Sequence, residues 1–474
     1  MKGKNITIKL IQLLTLIILY YIAGNNSLFL YASTLSLYNI YTSCFEHISL
    51  KETFKKLNYD YSKFKIFKYI TLNIIIIYTI FILLSILISD AMNMFLNIEN
   101  TFLPYLMMSL SVITEPLLKI ILEYLESYNK PKLSSNLFKL YYISETILLI
   151  LIGIITINII KLPISVSLSL LYLSKIISFI ILAVITYLTL KKQNIKLNKT
   201  REEKKINYKK EITEILKNNS HKSVINLVKN SYYYISIIIL YAVLLTRYSY
   251  NIKVIENDLT FIYLYGINIV SSIKDIILMM TKNITKKDNV VNYIYKVFQN
   301  VLTIAIILGI TSPLICKIIF NSDKNFIYLM MLSILLVFNS LFDTTYEYVK
   351  SKKVIYLSLI ASVIIKLILV IPLINSFYRM GYNLIYGDII STIIALSFVI
   401  IINYICIKLK NKSERTLENI LVTLYESILL CIILVLIQFI VPIKTDSYIK
   451  SLFTLALYIF ISVMFIKMKE KKRG

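Results

Sequence analysis

The residues of this sequence that could do chemistry are charged side chains set within long apolar stretches. Each of them costs about 2.5 kcal/mol or more at the centre of a lipid bilayer unless it faces water or a partner of opposite charge. The set consists of Glu115, Lys119, Glu145, Lys175, Lys274, Asp275, Asp343, Lys366, Asp388 and Glu426. Such groups can bind an ionic ligand or exchange protons, which makes them the first candidates for a functional site.

Motifs for bond-making catalysis are not found. The sequence has no nucleophile elbow, phosphate-binding loop or HExxH pair, and its eight glycines leave little material for glycine-rich loops. Its four cysteines form no CxxC pair, and two histidines are too few to indicate a zinc site. We therefore expect a protein that is not an enzyme and that uses no metal and no cofactor.

Three lysines stand out by their position. Lys175 and Lys366 lie far inside apolar runs, too far from either end to reach the membrane surface easily. Their positions favour a polar interior. The alternative is that a neighbouring carboxylate neutralises each lysine, which then serves only to orient the helices. Lys274 and Asp275 are adjacent, so on a helix their side chains point about 100° apart. We expect one of them to line a cavity and the other to pair across helices, with a purely structural pair as the alternative.

Two carboxylates have an informative local context. Glu115 is followed by Pro116, which removes a backbone hydrogen bond and predicts a kink that opens carbonyl groups to a cavity; the alternative is a simple kink. Asp343 and Glu347 are four residues apart on one face near a helix end, which is typical of the membrane interface.

The elements that must position these residues are membrane-spanning helices. With 57% apolar residues and a mean hydropathy of +0.72, the 474-residue chain has the composition of a membrane protein. The apolar stretches are long enough to cross a bilayer of roughly 30 Å, and they lack the alternation of a barrel. Cutting at charged connectors predicts fourteen spans, at 6–22, 27–45, 67–88, 102–123, 138–160, 163–190, 224–246, 260–281, 293–315, 326–348, 354–376, 383–408, 419–441 and 448–467. We expect the first span, which no small-residue cleavage signal follows, to be retained.

The net charge of +26 is concentrated in the connectors. Lysine-rich connectors follow the even-numbered spans, for example at 51–68 and 191–222, and this alternation predicts cytoplasmic termini. A positive-inside membrane protein explains the charge better than nucleic acid does, because no aromatic stacking platform lies beside the lysines.

The predicted spans and connectors divide the chain into four regions. These are an N-terminal six-helix bundle at 1–190, a cytoplasmic linker at 191–223, a C-terminal six-helix bundle at 224–410, and two additional helices with a basic tail at 411–474. A weak echo favours repeated halves, because 123–130 at the end of span four resembles 345–352 at the end of span ten. Repeated halves with the substrate path between them are a common plan of transporters.

Four short patches resemble a known family. They are Lys51-Glu52-Thr53-Phe54-Lys55-Lys56 after span two; Thr114-Glu115-Pro116 followed by Lys130 and Lys132; Tyr263, Asn268, Ser271 and Lys274 in span eight; and Asn339 and Asp343 followed by Ser351-Lys352 in span ten. Together with the plan of two bundles and two further helices, they resemble the multidrug/oligosaccharidyl-lipid/polysaccharide (MOP) flippase superfamily. Within it, the sequence is most similar to the Rft-type dolichol-linked oligosaccharide translocation family. It departs from that family at Leu19-Tyr20-Tyr21, Met280-Thr281-Lys282-Asn283 and Ala395, which replace Arg, Pro-x-Glu-Glu and Arg.

The resemblance implies an MOP/MATE-like fold and a flippase that works by alternating access. Its substrate would be a polyprenyl- or dolichyl-diphosphate-linked oligosaccharide, moved across the endoplasmic reticulum membrane for protein N-glycosylation. The candidate substrate-binding residues, from the intramembrane charges and the resembling patches, are Lys274, Lys366, Lys175, Asp275, Glu115, Lys51, Glu52, Asn339 and Asp343. We expect a monomer whose partners are this substrate and membrane lipids, and not nucleic acid.

Three alternatives stay open. The first is a lipid II or polysaccharide flippase of the bacterial type, which would lie in the plasma membrane. The second is a cation-coupled exporter of small molecules, for which Glu115, Glu145 and Glu426 could exchange protons. The third is a scaffold of glycan assembly that transports nothing, for which the departures from the family pattern would be expected.

Overall fold

The computed structural model of the chain describes residues 2–24, 28–45, 54, 60–96, 98–128, 131–192, 208–249, 251–284, 290–322, 325–349, 351–410, 416–443 and 447–473. Throughout these residues the regular secondary structure is helical. The predicted fold class, an all-α integral membrane protein, is confirmed.

The chain divides into two compact units, Met1–Thr260 and Phe261–Gly474, with the division inside span eight. Unit 1 contains α1 (Lys2–Ala23), α2 (Phe29–Ser43), α3 (Asp60–Leu96), α4 (Phe102–Val112), α5 (Thr114–Glu126), α6 (Pro131–Gly153) with a π-helical turn at Ile154–Ile159, α7 (Ile164–Leu171), α8 (Leu173–Lys192), α9 (Tyr208–Thr246) and α10 (Ile252–Thr260).

Unit 2 begins with a second π-helical turn at Phe261–Gly266. It continues through α11 (Ile267–Ile284), α12 (Val290–Phe320), α13 (Phe326–Tyr348), α14 (Lys352–Arg379), α15 (Ile385–Lys410), α16 (Thr416–Ile440) and α17 (Tyr448–Arg473). The predicted six-helix bundles at 1–190 and 224–410, and their relation as a repeat, stay predictions.

Each of the fourteen predicted spans coincides with helical structure. Over the described part of the chain, twelve helical stretches are long and apolar enough to cross a membrane, and Ile8–Ala23 forms a shorter apolar helix. Predicted span two is α2, whose 15 residues extend about 22 Å and fall short of a full bilayer crossing. Large apolar side chains such as Leu87, Ile368 and Phe439 are strongly exposed on the outer faces of the spans, as contact with lipid requires.

Several spans are interrupted rather than continuous. Span four breaks at Ile113, one turn before Pro116, because proline has no N–H to bond the carbonyl of Val112. The two π-helical turns contain no proline. Each inserts an extra residue into its span, and turns of this kind are frequent at functional sites.

Close helix packing sets the positions of the interior charges. In unit 1, α6 packs against α8, and α5 packs against both. In unit 2, α14 and α15 approach each other at Gly387, where a Cβ atom would lie only 2.6 Å from the backbone nitrogen of Ile374. Glycine is therefore required at this point, directly before Asp388.

The second half of the predicted linker is helical. Helix α9 begins at Tyr208 and runs without a break into span seven, which covers Ser223–Thr246. The helix is 39 residues long and therefore much longer than a bilayer crossing needs.

Candidate functional site

The interior of unit 1 contains a cluster of one lysine and two carboxylates, here the Lys175 cluster. Lys175 Nζ lies 2.7 Å from Glu145 Oε1 and 3.7 Å from Glu115 Oε1. The same ammonium lies 4.6 Å from the centre of the Tyr38 ring, a cation–π distance. Four helices contribute these groups: α2, α5, α6 and α8.

The positions of these groups follow from the helix interruptions. Lys175 is in the first turn of α8, just after the break at Tyr172, and Glu115 is in the first turn of α5, just after the break at Ile113. The Lys175 ammonium is largely buried, while the Glu115 side chain is 31% exposed and the Glu145 side chain 13%. The buried Oε2 atom of Glu145 accepts no hydrogen bond from the described residues.

A second cluster lies in unit 2 and consists of Lys274, Asp275 and Asp343. Lys274 Nζ donates a hydrogen bond of 2.6 Å to Asp343 Oδ2 on α13, and it lies 3.5 Å from Asp275 Oδ1. Lys274 therefore pairs across helices, one of the two arrangements expected for it. The adjacent positions on α11 do not keep the two side chains apart, because the long lysine side chain reaches back to its neighbour. Both carboxylates are about a quarter exposed.

The third cluster, also in unit 2, is closed to solvent. Lys366 on α14 lies 3.6 Å from Asp388 Oδ1 and donates a hydrogen bond of 2.8 Å to Thr392 Oγ1, both on α15. The Tyr263 hydroxyl, on the π-helical turn, donates to Asp388 Oδ2 at 2.9 Å. The side chains of Lys366 and Asp388 are 1% and 3% exposed.

The predicted site residues thus separate into three interior clusters. Glu115 and Lys175 meet in unit 1, and Lys274, Asp275 and Asp343 meet in unit 2. Asn339 is buried on α13, one helical turn before Asp343. Lys51 and Glu52 lie outside the residues that the structure describes.

Sequence reasoning gave no site role to the tyrosines or to Thr392. Tyr38 and Tyr263 contact the charged clusters. Tyr263 belongs to the span-eight patch that resembles the family, whereas nothing local distinguishes Tyr38 among the 38 tyrosines of the chain. Asp388 and Thr392 are four residues apart and so share one face of α15, a spacing from which Thr392 could have been found once Asp388 was a candidate.

In all three clusters, lysine ammonium groups form ion pairs with carboxylates of the same unit. This arrangement holds ammonium groups at membrane depth with partners of opposite charge. Among the described residues no group of three or more His, Cys, Asp or Glu side chains could hold a metal ion. The available chemistry is ion pairing, proton exchange and the binding of an anion by a lysine that changes partner.

Comparison with known proteins shows which solved structures have a similar fold. No family model and no curated protein matches the sequence. Among solved structures, the chain is similar to the lipid II flippase MurJ in an inward closed conformation, with a TM-score of 0.65 and 13% identity over 99% of this chain and 98% of that chain. It is also similar to a MOP superfamily transporter from Pyrococcus furiosus, with a TM-score of 0.56 and 13% identity over 85% of this chain and 93% of that chain. A multidrug resistance MATE family transporter in an outward-facing conformation gives the same values. The chain therefore has the fold of MOP superfamily transporters.

Proposed function

We propose that the protein translocates a polyprenyl-diphosphate-linked glycan across a membrane. The observation that supports this most is the length of the structural similarity. The lipid II flippase aligns with 99% of the chain, whereas the MATE transporter aligns with 85%. A lipid-linked substrate is therefore favoured over a small soluble one.

The interior lysines supply the charge that such a substrate needs. A diphosphate cannot enter hydrocarbon without cations near it, while its lipid tail can stay in the bilayer. Of the three lysines, Lys274 is the first choice, because it lies in span eight, where the resembling family carries a cation, and because both of its carboxylates are about a quarter exposed. Lys366 is enclosed, so a substrate could reach it only after α14 and α15 rearrange.

The resemblance of the sequence patches gives the narrower proposal. The glycan would be the dolichol-linked oligosaccharide of N-glycosylation, and the membrane that of the endoplasmic reticulum. Translocation would follow alternating access, with one bundle rocking against the other. The lipid II flippase structure equally supports a substrate of bacterial cell-wall synthesis and a plasma membrane location.

Reconstitution tests the proposal directly. The purified protein is placed in liposomes that carry a fluorescent polyprenyl-diphosphate glycan in both leaflets, and an impermeant reductant then bleaches the outer leaflet. A translocating protein gives nearly complete bleaching, whereas protein-free liposomes lose about half of the signal. Bleaching no greater than in liposomes with an unrelated membrane protein would contradict the proposal.

The choice between the two glycans needs a second experiment. The gene is expressed in a eukaryotic strain depleted of its own lipid-linked oligosaccharide translocation protein, and in a bacterial strain depleted of its lipid II flippase. Growth restored only in the first strain supports the narrower proposal. Growth restored only in the second strain would indicate that the substrate is lipid II.

A cation-coupled exporter is the second candidate. The observation in its favour is the pair of carboxylates around Lys175, together with the similarity to a MATE transporter. Export of a fluorescent cationic drug from cells, absent in cells without the protein, would support this function. Drug export without glycan translocation would replace the first proposal by this one.

A further inference from the structure

One face of α13 contacts span eight at two levels. Gly266, the last residue of the π-helical turn, lies so close to α13 that a Cβ atom on the glycine would collide with the Leu332 side chain. Lower on α13 is Asp343, which accepts the hydrogen bond from Lys274. Leu332 and Asp343 are separated by about three turns of α-helix and so lie on the same face of α13. This face therefore packs on span eight both at the π-helical turn and at Lys274.

The π-helical turn sets the direction in which Lys274 points. It contains one residue more than a regular α-helix needs, and each residue of an α-helix turns the chain by about 100° and advances it by about 1.5 Å. If the extra residue moved along α11 to a point beyond Lys274, every residue in between would turn by that angle. Ile273 would then face Asp343, and Lys274 would point where Asp275 points now.

Two contacts hold the extra residue in its present place. The Tyr263 hydroxyl, inside the turn, donates a hydrogen bond of 2.9 Å to Asp388 on α15, and both residues are buried. Hydrogen bonds to a carboxylate are stronger than those between neutral groups. The second contact is with Leu332, because a shift by one residue would bring Tyr265 to the place that Gly266 occupies. The turn can therefore shift only when α13 withdraws and Tyr263 leaves Asp388.

We propose that the π-helical turn is a register switch in span eight, and that Tyr263 is a positioning residue for Lys274. While Tyr263 is bound to Asp388, Lys274 is held on Asp343. When this bond breaks and α13 withdraws, the extra residue passes along α11 and Lys274 turns away from Asp343. Because Leu332 and Asp343 lie on one face of α13, a single movement of this helix releases both of its contacts with span eight.

The switch changes what the Lys274 ammonium can bind. In the present register it lies 2.6 Å from Asp343 and 3.5 Å from Asp275. The shift breaks the shorter of these two ion pairs and turns the ammonium toward the side on which Asp275 is 27% exposed. Asp343 is itself 26% exposed, so water can solvate it after the lysine has left. The use of the released ammonium for a diphosphate rests on the proposed function, whereas the register shift does not.

Cross-linking of paired cysteines tests the switch in the full-length protein in lipid nanodiscs. The four native cysteines are first replaced by alanine. Lys274→Cys with Asp343→Cys reports the present register, and Ile273→Cys with Asp343→Cys reports the shifted one. A bifunctional thiol reagent about as long as a lysine side chain bridges each pair. Both pairs should cross-link, because an irreversible reaction also collects a register that is populated only briefly.

Deletion of Ile262 should lock the present register. Ile262 is a buried residue of the turn, and without it span eight can be a regular α-helix in which α11 keeps its present direction. The pair at 274 and 343 should still cross-link, while the yield for the pair at 273 and 343 should fall to that of a single-cysteine protein. Deletion of Ile155, in the π-helical turn at Ile154–Ile159 of unit 1, is the matched control and should leave both yields unchanged.

A milder variant keeps the test decisive if the deletion prevents folding. Tyr263→Phe removes only the hydroxyl that bonds Asp388. It should raise the ratio of shifted to present register by roughly tenfold, the effect of losing one hydrogen bond to a charged group. Tyr382→Phe, at an exposed tyrosine just before α15, is its matched control and should not change the ratio.

Three results would each overturn the proposal. They are no cross-link between 273 and 343 with the turn intact, an unchanged yield for this pair after deletion of Ile262, and an unchanged ratio in Tyr263→Phe. The measurement uses no glycan and no transport. A protein that fails to translocate glycan in liposomes can still show the shift, and a translocating protein can lack it, so failure of the switch is distinguishable from failure of the proposed function.

Discussion

The three interior lysines differ in how neighbouring carboxylates compensate their positive charge. Lys366 pairs with Asp388, and both side chains are almost inaccessible to solvent. Lys175 and Lys274 each contact two carboxylates, and some of these carboxylates are partly exposed. Because an enclosed charge must be compensated, an excess carboxylate is found where water can reach it. The Lys366 pair is therefore closed to solvent, whereas each of the other two clusters has a carboxylate that water can reach.

The first prediction concerns Lys274. Lys274→Met keeps the length of the side chain but removes its charge, and we expect it to lower the translocation rate by roughly tenfold or more, equivalent to about 1.4 kcal/mol. Lys274→Arg keeps the charge and should lose much less. The measurement is complementation of the depleted strain that the protein rescues, with membrane protein level quantified in parallel.

Two comparisons complete this test. Lys450→Met, an exposed lysine at the start of α17, is the matched control and should retain full activity. If Lys274→Met is fully active at normal abundance, Lys274 does not handle the substrate. Equal loss of protein in Lys274→Met and Lys274→Arg would mean that the pair with Asp343 is purely structural.

The second prediction concerns the closed pair of Lys366 and Asp388. Lys366→Met or Asp388→Asn alone leaves a buried charge without its partner, which should cost about 3–5 kcal/mol of stability. The double substitution removes both charges and should recover most of that loss. The midpoints of thermal unfolding in detergent measure the three variants, and a double variant as unstable as the singles would show that the two side chains do not act as a pair.

Which charges lie in the interior of the spans was predictable from the sequence, but which of them meet was not. Lys175, Lys366 and Asp388 were identified from the cost of a charge at membrane depth. Their partners lie on other helices, so no local spacing reveals them. Tyr38 has no local signature at all, since an aromatic residue on an apolar helix is ordinarily read as packing or as part of an interfacial belt.

At the scale of elements, Gly387 decides how closely α14 and α15 pack. The third prediction is that Gly387→Ala destabilises the protein by roughly 1–3 kcal/mol, the usual effect of overpacking. The new methyl group would lie 2.6 Å and 2.8 Å from the backbone N and Cα atoms of Ile374, which cannot rotate away. The midpoint of thermal unfolding in detergent is the measurement.

Gly309 provides the matched control for this substitution. A Cβ atom at Gly309 would meet the hydroxyl oxygen of Ser333 at 3.0 Å, and this side chain can turn aside. Gly309→Ala should therefore cost much less than Gly387→Ala. Equal effects of the two substitutions would mean that the approach of α14 and α15 is not limiting.

The elements themselves were largely predictable, and their irregularities only in part. Long Ile- and Leu-rich runs must be helical in lipid, and this constraint placed a helix at each of the fourteen predicted spans; twelve helices of the described residues are long and apolar enough to cross a membrane. Pro116 predicted the interruption of span four. The π-helical turn at Phe261–Gly266 had no such signal, because its six residues are all buried and none of them is a proline.

At the scale of the whole molecule, the charge of the connectors predicts the orientation in the membrane. The fourth prediction is that both termini and the connector at 191–223 lie on the cytoplasmic side, because the lysine-rich connectors alternate with poorly charged ones. Reporter fusions at residue 205 and at the C-terminus measure this. A reporter on the opposite side at either position would require a different number of spans or an inverted orientation.

The continuity of α9 has a mechanical consequence. The residues from Tyr208 to the start of span seven at Ser223 extend about 22 Å beyond the membrane-crossing part of the helix. A helix of this length turns as a rigid rod, so a tilt of about 10° within the bilayer would displace its outer end by roughly 4 Å. Movements of span seven are therefore amplified at the outer end of α9, on the cytoplasmic side predicted for it. An antibody fragment or a pair of spin labels attached at this end could detect these movements from outside the membrane.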